Sequence, residues 1–434
     1  MRSPRGAGPV VAALLVLGLL VAGCAAGGKS AGPGARADGA GAPERYSGTE
    51  ADFAAIRALL QRRAAAVLHH DERGFLATVD DADRGLVARQ RTLFANLEAL
   101  PLRSLSYTVE DVSIPRRRVG AGPQLSPPVV EYAALQGADV RKVSNPLVEI
   151  FLRRGHGWLL AADGEHVFNG TTDVQSRPWG HGPVDVARRG ATVVVTDAAQ
   201  DAGQGAGRLL ARVTRALATV GAVLGVRAHP HLLVDATRTG LPDQFSPLSH
   251  EDAAAVTYPV HQAPRDGVGK DRFAGLVVKV NPRRLGAGLA QYGLLRHELT
   301  HVVLYRTGSG LPTWLSEGIA DYVAYHPYPE SALVVSARVR RHLDRMARHP
   351  ALPESSQFGY DPAVNYTLSH AAVLWLVDRY GMPRLLRLVR TYHDTARRTG
   401  LLPDDGPMLR RVYGITAREL ARQAFAVTRR LHVA

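Results

Sequence analysis

The sequence predicts an α+β protein built in two parts, and three features carry that expectation. Helical apolar periodicity opens the first part and gives way to short alternating, strand-like runs. In the second part, two apolar-periodic helical segments are joined by a glycine-containing turn. With 434 residues and 46% hydrophobic content, there is enough apolar material for more than one buried core.

The N-terminus reads as a targeting segment. Arg2 and Arg5 precede an apolar run from Val10 to Gly23. That run falls short of the roughly twenty residues that span a bilayer core, and it fits the apolar stretch of a signal peptide over residues 1–23. The string Val21-Ala22-Gly23-Cys24 resembles the bacterial lipobox, in which the cysteine is acylated and becomes the first residue of the mature protein. Cys24 is the sole cysteine, so no internal disulfide can form. The resemblance implies a lipoprotein anchored to the outer face of the cell membrane. Residues 24–48 are rich in Gly, Ala and Pro with little to bury, which predicts a flexible tether.

The first folded part is expected over residues 49–169. Phe53, Ile56, Leu59, Leu60, Ala64, Val67 and Leu68 recur at helical spacing, and a second helical stretch runs from Leu86 to Leu100. Strand-like runs follow as LSYTVEDVSI, VVEYAAL and PLVEIFLRR, the last turning at Gly155-His156-Gly157 into WLLAAD. Helices followed by antiparallel strands make an accessory α+β domain, and this order resembles the cone-shaped fold of the nuclear transport factor 2-like superfamily. Residues 170–190 carry turn formers with little periodicity and are expected to be a linker.

In the second part, expected over residues 191–434, chemistry concentrates in the pentapeptide His297-Glu298-Leu299-Thr300-His301. Residues four apart on an α-helix share a face one turn apart, so both imidazoles can reach one ion while Glu298 sits beside it. The apolar residues Leu294, Leu295, Val302, Val303 and Leu304 place this segment on a buried helix. A second apolar-periodic segment, with Trp314, Leu315, Ile319, Ala320 and Val323, starts after Pro312 and stops before Pro327. It carries Glu317 as the third candidate ligand and Asp321 one turn further, where a carboxylate can accept the free ring N–H of a ligand histidine. Zinc held by two His and one Glu keeps a fourth position for water, and a neighbouring carboxylate, Glu298, can take its proton.

HELTH followed by PTWLSEGIADY resembles the gluzincin clan of zinc metallopeptidases, in particular bacterial peptidase MA-like domains. The longer metzincin pattern does not fit, because Leu304 and Thr307 stand where it needs Gly and His. The resemblance extends upstream through ATVVVT, an alanine-rich helix over residues 205–224, HLLVDA and AGLVVKVN, and downstream through NYTLSHAAVLWLVDRYGMPRLLRLV and YGITARELARQAF. It implies a mixed sheet, active-site helices and a C-terminal helical lobe. It also implies His297, His301 and Glu317 as zinc ligands, Glu298 as general base and Asp321 as outer-shell acid. Gluzincins commonly draw an oxyanion donor from the downstream lobe, which implies Tyr366 or His370, with Tyr366 preferred. The AGLVVKVN run is expected to offer a sheet edge for main-chain pairing with an extended peptide substrate.

The formal charge of +14 invites a nucleic-acid partner. Scattered arginines argue against one, and Arg338, Arg341, Arg345 and Arg348 at helical spacing read as a solvated face. Anionic head groups or cell-wall polymers are an alternative attraction for this basic surface. The sequence therefore points to a membrane-anchored extracellular zinc metallopeptidase. The rivals are a catalytically inactive binding or scaffold lipoprotein on the same fold, and hydrolysis of a non-peptide amide at the same zinc.

Overall fold

A computed structural model describes residues 46–163, 178–198, 205–228, 230–238, 254–265, 269–282, 289–328 and 333–433. The expected signal peptide, Cys24 and nearly all of the tether lie outside these residues. Among the described residues, no helix is long and apolar enough to cross a membrane.

The N-terminal part begins with α1 (Glu50–Leu68), α2 (Glu72–Leu76) and α3 (Arg84–Ala99). Thr49 starts α1 because its side chain accepts from the Asp52 N–H while the Asp52 carboxylate accepts from the Thr49 N–H. Strands β1 (Leu102–Val109), β2 (Gln124–Leu125), β3 (Val129–Leu135), β4 (Val143–Leu147), β5 (Glu149–Arg154) and β6 (Gly157–Asp163) follow. They form two antiparallel sheets, ordered β1-β3-β4 and β2-β5-β6. The run PLVEIFLRR, expected as one strand, is split between them. Pro146 lies in β4, an edge strand where its missing N–H costs no ladder bond, and the chain crosses to the other sheet at Val148. Phe53, Ile56, Leu59 and Leu60 of α1 bury against Leu125, Phe151, Trp158 and Leu160.

The second part is organised around a mixed five-stranded sheet. Its strands are β7 (Val184–Arg189), β8 (Thr192–Asp197), β9 (Leu232–Ala236), β10 (Ala255–Gln262) and β11 (Arg272–Val280), with α4 (Ala206–Leu224) between β8 and β9. The order is β10-β11-β9-β8-β7, with parallel pairing across β11-β9-β8 and antiparallel strands at both edges. Two expectations are corrected here. The presumed linker over 170–190 contains β7, whose polar alternation suits an exposed edge and masked it as loop. AGLVVKVN is not an edge, because β11 is paired on both sides, and the edge is β10. Pro259 in β10 lacks an N–H, which an edge strand tolerates and which hid this strand in the sequence.

Both faces of this sheet are covered. Val194, Leu232, Val234, Leu276 and Val278 face α4 and the helices that follow. Val193, Val195, Leu233 and Val277 face Phe94, Leu97, Ala133 and Leu135 of the N-terminal part, in one continuous core. Polar bonds fix the same junction: Asn96 Nδ2 donates to the carbonyls of Trp179 at 2.9 Å and Gly182 at 2.6 Å, and the Val140 N–H donates to Ala274 at 2.7 Å.

The remaining elements are α5 (Leu289–Gly308), α6 (Thr313–Tyr325), the two-residue strand β12 (Val334–Val335), α7 (Ala337–Met346), α8 (Pro362–Tyr380), α9 (Met382–Thr399), α10 (Asp405–Tyr413), α11 (Ala417–Arg430) and β13 (His432–Val433). Gly310 turns the chain from α5 into α6 with φ +85°, a conformation costly to residues with a Cβ. The four arginines at 338, 341, 345 and 348 are exposed, as expected of a solvated face.

Candidate metal centre

Helices α5 and α6 fold back on each other across the short turn and bring the three expected ligands together. His297 Nε2 lies 3.2 Å from His301 Nε2 and 3.2 Å from Glu317 Oε2, and His301 Nε2 lies 3.5 Å from Glu317 Oε2. The four-residue spacing on α5 sets the first of these distances and the packing of α6 sets the other two. His297 and Glu317 are each 1% exposed, so this convergence is deep in the protein.

The triangle fits a zinc ion on an independent count. Ligand atoms about 2.0–2.1 Å from a tetrahedral zinc are separated by roughly 3.3–3.4 Å. The observed spacings match one face of that tetrahedron. Glu317 Oε2 is buried without a hydrogen-bond partner among the described residues, although two ring nitrogens crowd it. Lone pairs aimed at a common point produce this pattern, whereas a simple hydrogen-bond cluster would satisfy the oxygen.

The surroundings orient the candidate ligands. His297 Nδ1 is 2.8 Å from Asp321 Oδ1, so donation of Nδ1–H to the carboxylate leaves Nε2 with its lone pair for a metal. His301 Nδ1 faces the Ser316 hydroxyl at 3.4 Å. Burial disfavours a charged His297, but the hydrogen bond to Asp321 and the nearby Glu317 carboxylate override it and hold its proton affinity well above the usual imidazole range. Burial likewise pushes Glu317 up, and the adjacent His301 and His297 outweigh it, holding its pKa down to about 2. A site whose carboxylates favour positive charge this strongly is suited to a divalent cation.

Glu298 is 0% exposed and stays out of the triangle. Its Oε2 accepts from the Thr257 hydroxyl at 2.6 Å, and its Oε1 is buried with no hydrogen-bond partner among the described residues. Thr257, on the edge strand β10, is the site contact that the sequence reading missed. The alternation Val256-Thr257-Tyr258 was the available signal, and Pro259 obscured it.

Tyr366, near the start of α8, is buried with its ring 6.2 Å from the His297 ring and against Phe358. His370, one turn further along α8, packs its ring on Tyr325 at 5.5 Å. Of the two residues considered as oxyanion donors, Tyr366 is the one whose ring borders a candidate ligand histidine.

No family model matches the sequence, and no curated protein matches it. Among solved structures, the chain is similar to an M1 zinc metallopeptidase of Deinococcus radiodurans bound to a Tyr-Ser-Ala substrate, with 12% identity and a TM-score of 0.31 over 74% of this chain and 61% of that one.

Proposed function

We propose that this chain is a zinc-dependent peptidase held at the outer face of the cell membrane by lipid on Cys24. The observation that carries the enzymatic reading is the buried triangle of His297, His301 and Glu317, with an acid on the far ring nitrogen of His297 and, on the adjacent Glu298, a carboxylate oxygen that has no hydrogen-bond partner among the described residues. His297, His301 and Glu317 would hold the zinc ion, which when bound lowers the pKa of a water to about 7 and polarises a carbonyl.

The protein's own groups supply the rest. Glu298 Oε1 takes the proton from the attacking water and returns it to the departing amide nitrogen, so one carboxylate serves as base and then as acid. Tyr366, whose ring borders that of His297, is the proposed donor to the substrate oxygen as it gains negative charge. Strand β10 offers its outer edge to the main chain of an extended peptide, which makes peptides the substrate class. The lipid anchor rests on the sequence alone, and the scattered basic surface suits an anionic membrane or wall rather than nucleic acid.

The test is direct. The purified full-length protein should contain about one zinc and cleave members of a peptide library. Glu298→Gln should keep the zinc and the fold while turnover falls by roughly two or more orders of magnitude. Equal turnover by wild type and Glu298→Gln would reject the mechanism, and an inert wild type with full zinc would favour the scaffold reading. Mass spectrometry of the mature N-terminus should find an acylated Cys24; an unmodified terminus elsewhere would remove the anchor.

A further inference from the structure

We infer that Thr257 is a positioning residue for the general base, and that through it the substrate-binding edge strand sets where the proton is taken. This rests on the peptidase reading above.

The argument begins with the carboxylate. Glu298 is fully buried, and a buried carboxylate needs compensation at its oxygens. Only one oxygen has it among the described residues. The Thr257 hydroxyl lies 2.6 Å from Oε2 and 3.2 Å from the Glu298 carbonyl oxygen. A hydroxyl has one proton, so its donation is shared between these two, and the shorter contact with the charged acceptor is the stronger. Oε1 is left as the free proton acceptor of the pair.

A glutamate on a helix has three side-chain torsions, and the backbone of α5 alone does not choose among their rotamers. The bond to Thr257 chooses. It pins Oε2 to the sheet and fixes the plane of the carboxylate, so that Oε1 is presented in one direction.

The anchor comes from a different element. Thr257 is on β10, the outermost strand of the sheet, opposite Val278 of β11. The strand proposed to align the substrate main chain therefore also aims the base. A helix-borne base and a strand-borne substrate would otherwise be registered only through the packing between their elements. Misplacement of about 1 Å at a reacting pair can cost on the order of a hundredfold in rate, so such a tie is worth having.

The experiment uses the full-length zinc-loaded protein, a peptide that the wild type cleaves, and the variants Thr257→Val, Thr257→Ala, Thr257→Ser and Glu298→Gln. Thr257→Val and Thr257→Ala should retain zinc, leave KM within about twofold and lower kcat by about ten- to a hundredfold, the rate equivalent of losing a hydrogen bond to a charged group. Thr257→Ser keeps the hydroxyl and should recover kcat to within about threefold of wild type. Adding Thr257→Val to Glu298→Gln should lower kcat no further, because the threonine acts only through the carboxylate.

Wild-type kcat in Thr257→Val or Thr257→Ala overturns the inference, as does a loss in Thr257→Ser equal to that in Thr257→Val, or an effect confined to KM. If Thr257→Val fails to fold, the Ala and Ser pair decides on the same criteria. Failure of the underlying reading looks different: Glu298→Gln would then be as active as wild type, whatever the threonine variants do.

Discussion

Three side-chain atoms carry the functional reading, and each is held by a different constraint. His297 is oriented by Asp321, His301 follows one turn later on the same helix, and Glu317 arrives from α6. Removing one ligand should therefore empty the site, because the other two offer too few donors for tight binding. His301→Ala and Glu317→Ala are each expected to lose most of the zinc, measured by elemental analysis of purified protein. Full occupancy in both would show that the ligands lie elsewhere. Glu317→Ala carries a second consequence. It leaves His297 buried with one of the two carboxylates that raise its proton affinity removed, so the affinity should fall, and a lower imidazole pKa by NMR in metal-free protein would register it.

At the scale of elements, the centre depends on how closely α6 sits on α8. Gly318 is the residue that permits it. A Cβ at this position would collide with the Ser369 carbonyl oxygen and come within 2.7 Å of Val373 Cγ2. Alanine would improve helix propensity by about 1 kcal/mol, but overpacking against backbone costs about 1–3 kcal/mol and the carbonyl cannot swing aside. Gly318→Ala is expected to lower the urea midpoint, with zinc affinity falling in step because Glu317 is the preceding residue. A raised midpoint would mean that α6 and α8 pack more loosely than described.

At the scale of the whole molecule, the N-terminal part covers the second face of the five-stranded sheet. Asp139 is at that junction, bridged to Gly275 of β11 and accepting from the Leu135 N–H at 2.7 Å. Burial pushes its carboxyl up to about 7, only partly opposed by that hydrogen bond and by Arg103. The sign follows from linkage. A native-state pKa above the unfolded value of 3.8 means that the proton is bound more tightly in the folded protein, so this contribution is full below about pH 4 and is lost as pH rises through about 7. Asp139→Asn keeps an acceptor for Leu135 and cannot ionise. It should match wild type near pH 4 and melt higher at pH 8, by an amount on the order of 1 kcal/mol or more. Equal melting at both pH values would show that Asp139 titrates normally.

The sequence by itself determined the parts of this protein that depend on local spacing. The helix carrying His297 and His301 and the second helix between Pro312 and Pro327 were legible, because apolar periodicity and helix stops are properties of neighbouring residues, and the resemblance added the runs that form β8, β9 and β11. Glu317 and Asp321 could be singled out for the same reason, since a short turn leaves two consecutive helices little choice but to face each other. Tertiary structure alone decided what depends on distant segments. Pro259 concealed the edge strand β10, and with it the contact of Thr257 to Glu298 across 41 residues of chain. The polar alternation of β7 read as linker, and one apolar run divided between two sheets at Val148. Which of Tyr366 and His370 borders the candidate ligand His297 also waited for the packing of α8, because residues four apart on one helix share a face until a neighbour distinguishes them. The continuity of the core across the two parts is of the same kind: an apolar strand face is visible in a sequence, but the surface that covers it is not.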